Sequence, residues 1–327
     1  MVRKLKTFAV LGVLSIVLLI LVNLQVQYSE VLVTKLFCLE GMPARWQAIG
    51  GKETIGLILA CVYHFIGLLA FCLLDTAYHL IGDGTRTQNC ATLGVVGSRL
   101  YIVVYLTGLA RVVLLGGNGV AADPLDVMQG AFCSVGSAAL GFSVLSLQVP
   151  VLKKAIPKVM CVVGAIGWFC LSCEAVARTL TSYRKVVFRF YDRYLIVFLV
   201  GIVLLVFPFI AILLTGRKSP GPAEPDTAPA EQCVGGARCR VDWPKCAAPL
   251  LVLILASIPL CVVPFLIHYR FATKNALFTS YRTNVWLFQA FCLLVGSLMS
   301  IGCLRTVIPQ LRKRRLAMKG KADDDEL

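Results

Sequence analysis

An all-α fold, a polytopic membrane bundle of about eight transmembrane helices, is predicted by three observations. Apolar stretches recur at about the ~20-residue length that crosses hydrocarbon, they are continuous, and most connections between them are short. Of the 327 residues, 58% are apolar, more than a soluble chain of that length needs for one core. In hydrocarbon each backbone amide must be satisfied within a helix or a closed barrel, and continuous rather than alternating apolar runs exclude the barrel.

The expected spans are residues 8–26, 54–74, 97–115, 127–149, 159–180, 194–215, 247–269 and 285–307. The first follows Arg3, Lys4 and Lys6 and is too long for a signal h-region, with no small-residue cleavage site in Gln27-Tyr28-Ser29-Glu30, so it reads as an anchor. The second carries His64, Asp75 and His79. The third is the weakest, because Arg99 and Arg111 sit at its ends. The fourth is rich in Gly, Ser and Ala, and the fifth holds a Cys170-x-x-Cys173 pair. The seventh contains Pro249, Pro259 and Pro264 and is expected to kink. Residues 1–216 thus form a six-span region, 217–246 a Pro- and Cys-rich loop, 247–307 a two-span region and 308–327 a tail that is basic, then acidic. In layout, not in motif, two four-span halves resemble the paired four-helix MARVEL repeats of myeloid-associated differentiation marker proteins; no diagnostic residue matches.

The net charge of +15 falls mainly between or after the apolar blocks, which argues for a topological role and against nucleic acid as a partner. A cytosolic amino terminus puts nearly twice as many Lys and Arg inside as outside, led by Lys153, Lys154, Lys158 and the run 312–315. Both termini are then cytosolic, in a plasma membrane or endomembrane. One loop dissents: 178–193 is basic yet falls outside, so it is either an interfacial strip or the mark of a miscounted span.

Ionisable groups inside spans are costly in hydrocarbon and are the first candidates for function. The spacings of His64, Asp75 and His79 place all three within about 60° on one helix face. Either that face is a proton or cation path, or Asp75 and His79 lie at the headgroups and His64 makes one interhelical hydrogen bond. Glu174 and Arg178, four apart, are expected to neutralise each other near the depth of Arg111. An anion site around Arg111 is the functional alternative.

Fourteen cysteines mostly lie in spans, where a thiol is a small apolar filler. Cys170 and Cys173 are the candidates for thiol redox chemistry, and Cys246 for palmitoylation. No zinc set is complete, since Cys233, Cys239 and Cys246 have no nearby His; neither metal nor cofactor is expected. Asp192-Arg193-Tyr194 copies a receptor tripeptide but opens a span rather than closing one, and the terminal Asp324-Asp325-Glu326-Leu327 would serve ER retrieval only from a lumenal tail.

Helix contacts are more legible than chemistry. Gly130, Ser134, Ser137, Ala138 and Gly141 in the fourth span, and Gly296 with Ser300 in the eighth, give the small-residue spacings that let helices approach in lipid. The expected protein is therefore not an enzyme. It organises membranes, takes part in trafficking or binds other helices, with the bilayer and homo- or hetero-oligomers formed through these faces as its partners. A small-solute or ion transporter with a site near His64, Arg111 and Glu174 is the alternative, and a membrane thiol oxidoreductase a remote one.

Overall fold

The computed structural model describes residues 2–27, 51–82, 88–115, 122–151, 155–184 and 200–215, with 287–288, 290–295, 297–298, 301 and 308 of the C-terminal region. Among the described residues everything is helix or turn, with no strand. The helices are α1 (Val2–Gln27), α2 (Gly51–Ile81), α3 (Gln88–Leu115), α4 (Ala122–Val151), α5 (Ala155–Arg184) and α6 (Phe207–Thr215). Pro124 and Pro157 fall in the first turns of α4 and α5, where a missing N–H costs nothing.

Five of these helices are long and apolar enough to cross a membrane: Arg3–Leu24, Leu57–Ile81, Cys90–Leu114, Val127–Leu147 and Ala155–Ala177. They agree with the first five expected spans and are consistent with a multi-pass membrane protein. The sixth is represented by the shorter apolar helix Val200–Leu214. It breaks at residues 205–206, where Leu205 N donates to Ile202 O (3.1 Å) and Phe209 N to Val206 O (3.2 Å), tightening the turn ahead of Pro208, which has no N–H to give. The seventh span, the basic loop 185–193, Cys246 and the tail beyond 308 lie outside the described residues, and the eighth span is represented by its helical residues from 287 onward.

Each helix packs against its neighbours in sequence, and α6 also returns to α1, so the six close into a ring. Its core is aromatic. Phe71 of α2 stacks on Tyr101 of α3 with centroids 4.1 Å apart, and Tyr101 meets Trp168 of α5 at 6.4 Å. Phe8 joins α1 to both α2 and α6 through Tyr78 (5.3 Å) and Phe209 (5.4 Å). Glycine holes receive some of these knobs: a Cβ at Gly12 would overlap the Phe209 ring, and one at Gly164 would overlap Pro208.

The polarity is inverted relative to a soluble protein. Ser15, Ser98, Thr107, Ser137 and Ser143 are fully buried, while Val10, Leu14, Val17 and Leu21 of α1, and Ile58, Val62, Phe65 and Leu69 of α2, line the outer surface at three- and four-residue spacings. The buried hydroxyls tie helices together. Ser15 Oγ donates to Ala70 O (2.8 Å) between α1 and α2. Gln129 Nε2 donates to Thr107 Oγ1 (3.2 Å), the Tyr101 hydroxyl bonds Ser137, and Ser143 Oγ donates to Cys90 O (2.7 Å), one antiparallel ladder between α3 and α4.

The two least apolar spans, in α3 and α4, are also the most enclosed: 61% and 44% of their windows are buried, against 39% or less elsewhere. A second cluster explains α3. Phe288, Cys292 and Val295 pack with Val96, Leu100, Val103, Met128 and Phe132, so α3 meets protein on the side facing away from the ring as well. A helix surrounded by protein does not need lipid-grade hydrophobicity.

Candidate functional site

Most of the charged residues whose side chains are described gather at the end of the ring where α1 begins, here termed the proximal end. α2 runs unbroken to Ile81, so Asp75 and His79, one turn apart, lie on one side of it. α3 already begins at Gln88, nine residues before the expected boundary, which makes Ser98 and Arg99 helix interior rather than entry. Arg99 Nε lies 3.6 Å from Asp75 Oδ1, and Ser98 Oγ donates to the same oxygen at 3.1 Å. Ser98 has one hydroxyl hydrogen, which Asp75 shares with the acceptors Gly94 O at 2.9 Å and Val95 O at 3.2 Å.

His79 completes the cluster and its tautomer follows from its partners. Arg99 Nη2 is 3.4 Å from His79 Nε2, and a guanidinium only donates, so Nε2 is the acceptor. The hydrogen is then on Nδ1, which donates to the Asp75 backbone oxygen at 2.8 Å and lies 3.4 Å from Asp75 Oδ2. The Asp75 and Arg99 side chains are 21% and 29% exposed and that of His79 52%, so the pair is largely sheltered while the imidazole opens outward. One carboxylate thus neutralises one guanidinium across the α2–α3 seam, where either charge alone would be costly.

All three polar residues of α2 turn toward α3, but His64 stands apart, about 16 Å up the helix at 1.5 Å per residue. Its ring covers Gly108, where a Cβ would overlap it, and meets Tyr63 and Tyr105 edge-on at 5.0 and 6.0 Å. His64 Nδ1 is buried without a hydrogen-bond partner. Glu174 is half-buried on α5, and the Arg178 side chain is outside the described set. The Cys170 and Cys173 thiols are free; Cys170 packs toward Gly201, in the helical segment that precedes α6, while Cys173 is exposed on the outer surface.

The small residues of α4 divide between two neighbours. Toward α5, a Cβ at Gly130 would overlap the Thr179 hydroxyl, Gly141 receives the Phe169 ring at 3.0 Å, and Ser134 Oγ is 3.1 Å from Ser172 Oγ, which also donates to Ser134 O at 2.9 Å. Toward α3, Ser137 bonds Tyr101, and Gly136 meets Gly97, whose Cβ would stand 2.6 Å from the Gly136 carbonyl. Ala138 is half-buried; Gly296 and Ser300 fall outside the described residues.

Sequence reasoning passed over Arg99 and Ser98 as partners of Asp75, and Gly97, Gly136 and Ser172 as contact residues. The signal for Arg99 was present: an acidic residue near one span end and a basic residue near the start of the next, joined by a short connection, demand each other. Among the described residues no three His, Cys, Asp or Glu side chains converge as a metal-holding group. Comparison with protein-family models, curated proteins and solved structures finds no match for this chain.

Proposed function

We propose that this is a membrane-organising protein, acting through helix packing and lipid contact rather than through a reaction. The observation that carries this reading is the filled centre of the ring, where Phe71 stacks on Tyr101 and Tyr101 meets Trp168 at a tilt, which leaves the outward apolar rows as the principal working surface. Faces of this kind, in a protein with short connections, recruit neighbouring helices and lipids. A second reading, a small-solute or ion path, is favoured by one feature, the buried His64 Nδ1 that has no hydrogen-bond partner.

Reconstitution into phosphatidylcholine vesicles separates the two. Energy transfer between donor- and acceptor-labelled copies should rise with the protein-to-lipid ratio, while proton and ion flux stay at the level of empty vesicles. Flux above that level that disappears in His64→Ala would overturn the organising reading in favour of transport.

A further inference from the structure

We propose that the break in the sixth span is a binding site for one water molecule, which accepts from the Trp168 indole N–H and donates to the Leu204 and Leu205 carbonyls. The inference goes beyond the organising reading and does not rest on it.

A continuous helix leaves no interior main-chain oxygen bare, but the turn at residues 205–206 leaves two. The donor that Leu204 O would take in an unbroken helix belongs to residue 208, and Pro208 has no N–H. The donor of Leu205 O would be Phe209 N, which turns instead to Val206 O at 3.2 Å. Both carbonyls lie within the apolar segment Val200–Leu214, where hydrocarbon supplies no donor in their place.

The complementary group stands on α5. Trp168 is 1% exposed, and its Nε1 has no hydrogen-bond partner among the described residues. An indole N–H only donates. Helix side chains lean toward the N-terminus, so the indole covers the turn that carries Gly164 and Ala165. That turn is where the sixth span arrives: Leu204 O lies 3.5 Å from the Cβ position of Gly164, and the Leu205 side chain comes within 3.1 Å of that of Gly167. One bare donor and two bare acceptors therefore face the same seam, with no direct bond from the indole to either carbonyl.

Their chemistry selects the ligand. It must accept one hydrogen bond and donate two, which is the usual pattern of a buried water that makes about three bonds to otherwise unsatisfied groups. A metal cation would meet the indole hydrogen, and an anion without a proton could donate to neither carbonyl. Size points the same way. The helices approach through Gly164 and Gly167, where even a Cβ would collide with Pro208 and with Gly201 O. The water also occupies the joint through which the ring closes. The segment before the break rests on Gly167 and Cys170 of α5, and Phe209 after it rests on Phe8 and Gly12 of α1. Hydration of the break thus helps to set the bend with which the sixth helix returns to the first.

The test is X-ray radiolytic footprinting of the full-length protein in detergent, read by mass spectrometry. The beam splits a bound water into hydroxyl radicals that oxidise adjacent side chains, buried or not. In wild type, after scaling for intrinsic reactivity, Trp168, Leu205 and Pro208 should be oxidised well above Phe132, which is just as deeply buried but lies in an apolar cluster. Trp168→Phe keeps an aromatic ring and removes the donor, so oxidation of Leu205 and Pro208 should fall to the Phe132 level. Wild-type oxidation no higher than that of Phe132, as a direct bond between indole and carbonyl would give, overturns the proposal. Undiminished oxidation in Trp168→Phe does so too. Should that variant fail to fold, Pro208→Ala takes its place: it returns a donor to Leu204 O, so a drop in Trp168 oxidation supports the site and an unchanged level overturns it.

Discussion

Arg99 and Asp75 meet across the α2–α3 seam with Nε 3.6 Å from Oδ1, and Ser98 of the same helix bonds that same carboxylate oxygen. The pair is the sheltered ionic contact on which the rest of the proximal end is arranged. Neutralising one member leaves the other charged in a low-dielectric setting, which is worse than losing both.

Asp75→Asn should therefore destabilise the protein by about 2 kcal/mol, below the 3–5 kcal/mol of a fully buried pair because both groups are partly exposed. Adding Arg99→Gln should restore much of that loss. Thermal unfolding of wild type, both single variants and the double variant in one detergent gives the coupling energy directly. Additive losses would show that the contact does not couple the two helices.

α3 and α4 approach closely at Gly97, where a Cβ would stand 2.6 Å from the Gly136 carbonyl. A backbone atom cannot step aside as a side chain can, so Gly97→Ala should force the helices apart and lower the unfolding temperature by several degrees. Gly82→Ala is the matched control. Its nearest neighbour is 3.4 Å away, an ordinary contact, and its unfolding temperature should stay near wild type.

Between α4 and α5, Ser172→Ala removes the bond to Ser134 O at 2.9 Å together with the hydroxyl pair at 3.1 Å. Interhelical hydrogen bonds in lipid average about 0.6 kcal/mol, so a loss of roughly 1 kcal/mol is expected. Ser172→Cys, which keeps the volume, should lose nearly as much. Unfolding of the variants by graded denaturing detergent measures both.

His64→Leu removes a ring whose Nδ1 has no hydrogen-bond partner and replaces it with an apolar side chain against Tyr63 and Tyr105. Stability should change little or rise, since deleting an unsatisfied buried polar atom relieves a cost. Self-association should be unaffected. A large drop in stability would mean that His64 holds a partner the bundle depends on.

How much of this was legible in the sequence varies from helix to helix. The first, second, fourth and fifth spans came through, the second short by seven residues at its C-terminal end and the others within five, because helices that face lipid must be apolar along their length. α3 was the weakest by the same criterion, and for a physical reason: Phe288, Cys292 and Val295 cover its outer side, so Thr107, Ser98 and Arg99 have protein partners in place of hydrocarbon. Hydropathy measures exposure to lipid, and an enclosed helix escapes it. The structure turns His64, Asp75 and His79 toward α3. Starting α3 at Gly97 instead of Gln88 hid the ion pair, since it left Arg99 at a helix entry where a solvated arginine needs no partner. The small-residue faces of α4 were visible as spacing, while their division between α3 and α5 depends on helix rotation, which composition does not encode.

The closure of the ring through Phe8 and Phe209 has a consequence for biogenesis. These two rings, 5.4 Å apart in the finished protein, are separated by some two hundred residues of chain. At ~5–20 residues per second the ribosome needs about 10–40 s to pass from one to the other. Throughout that interval the notch at Gly12 stands open in the bilayer, joined for its last part by the one at Gly164, and any helix bearing a suitably placed aromatic or proline can occupy them first. The nascent chain thus passes through an incomplete, five-helix stage whose choice of companion is made before its own sixth helix arrives.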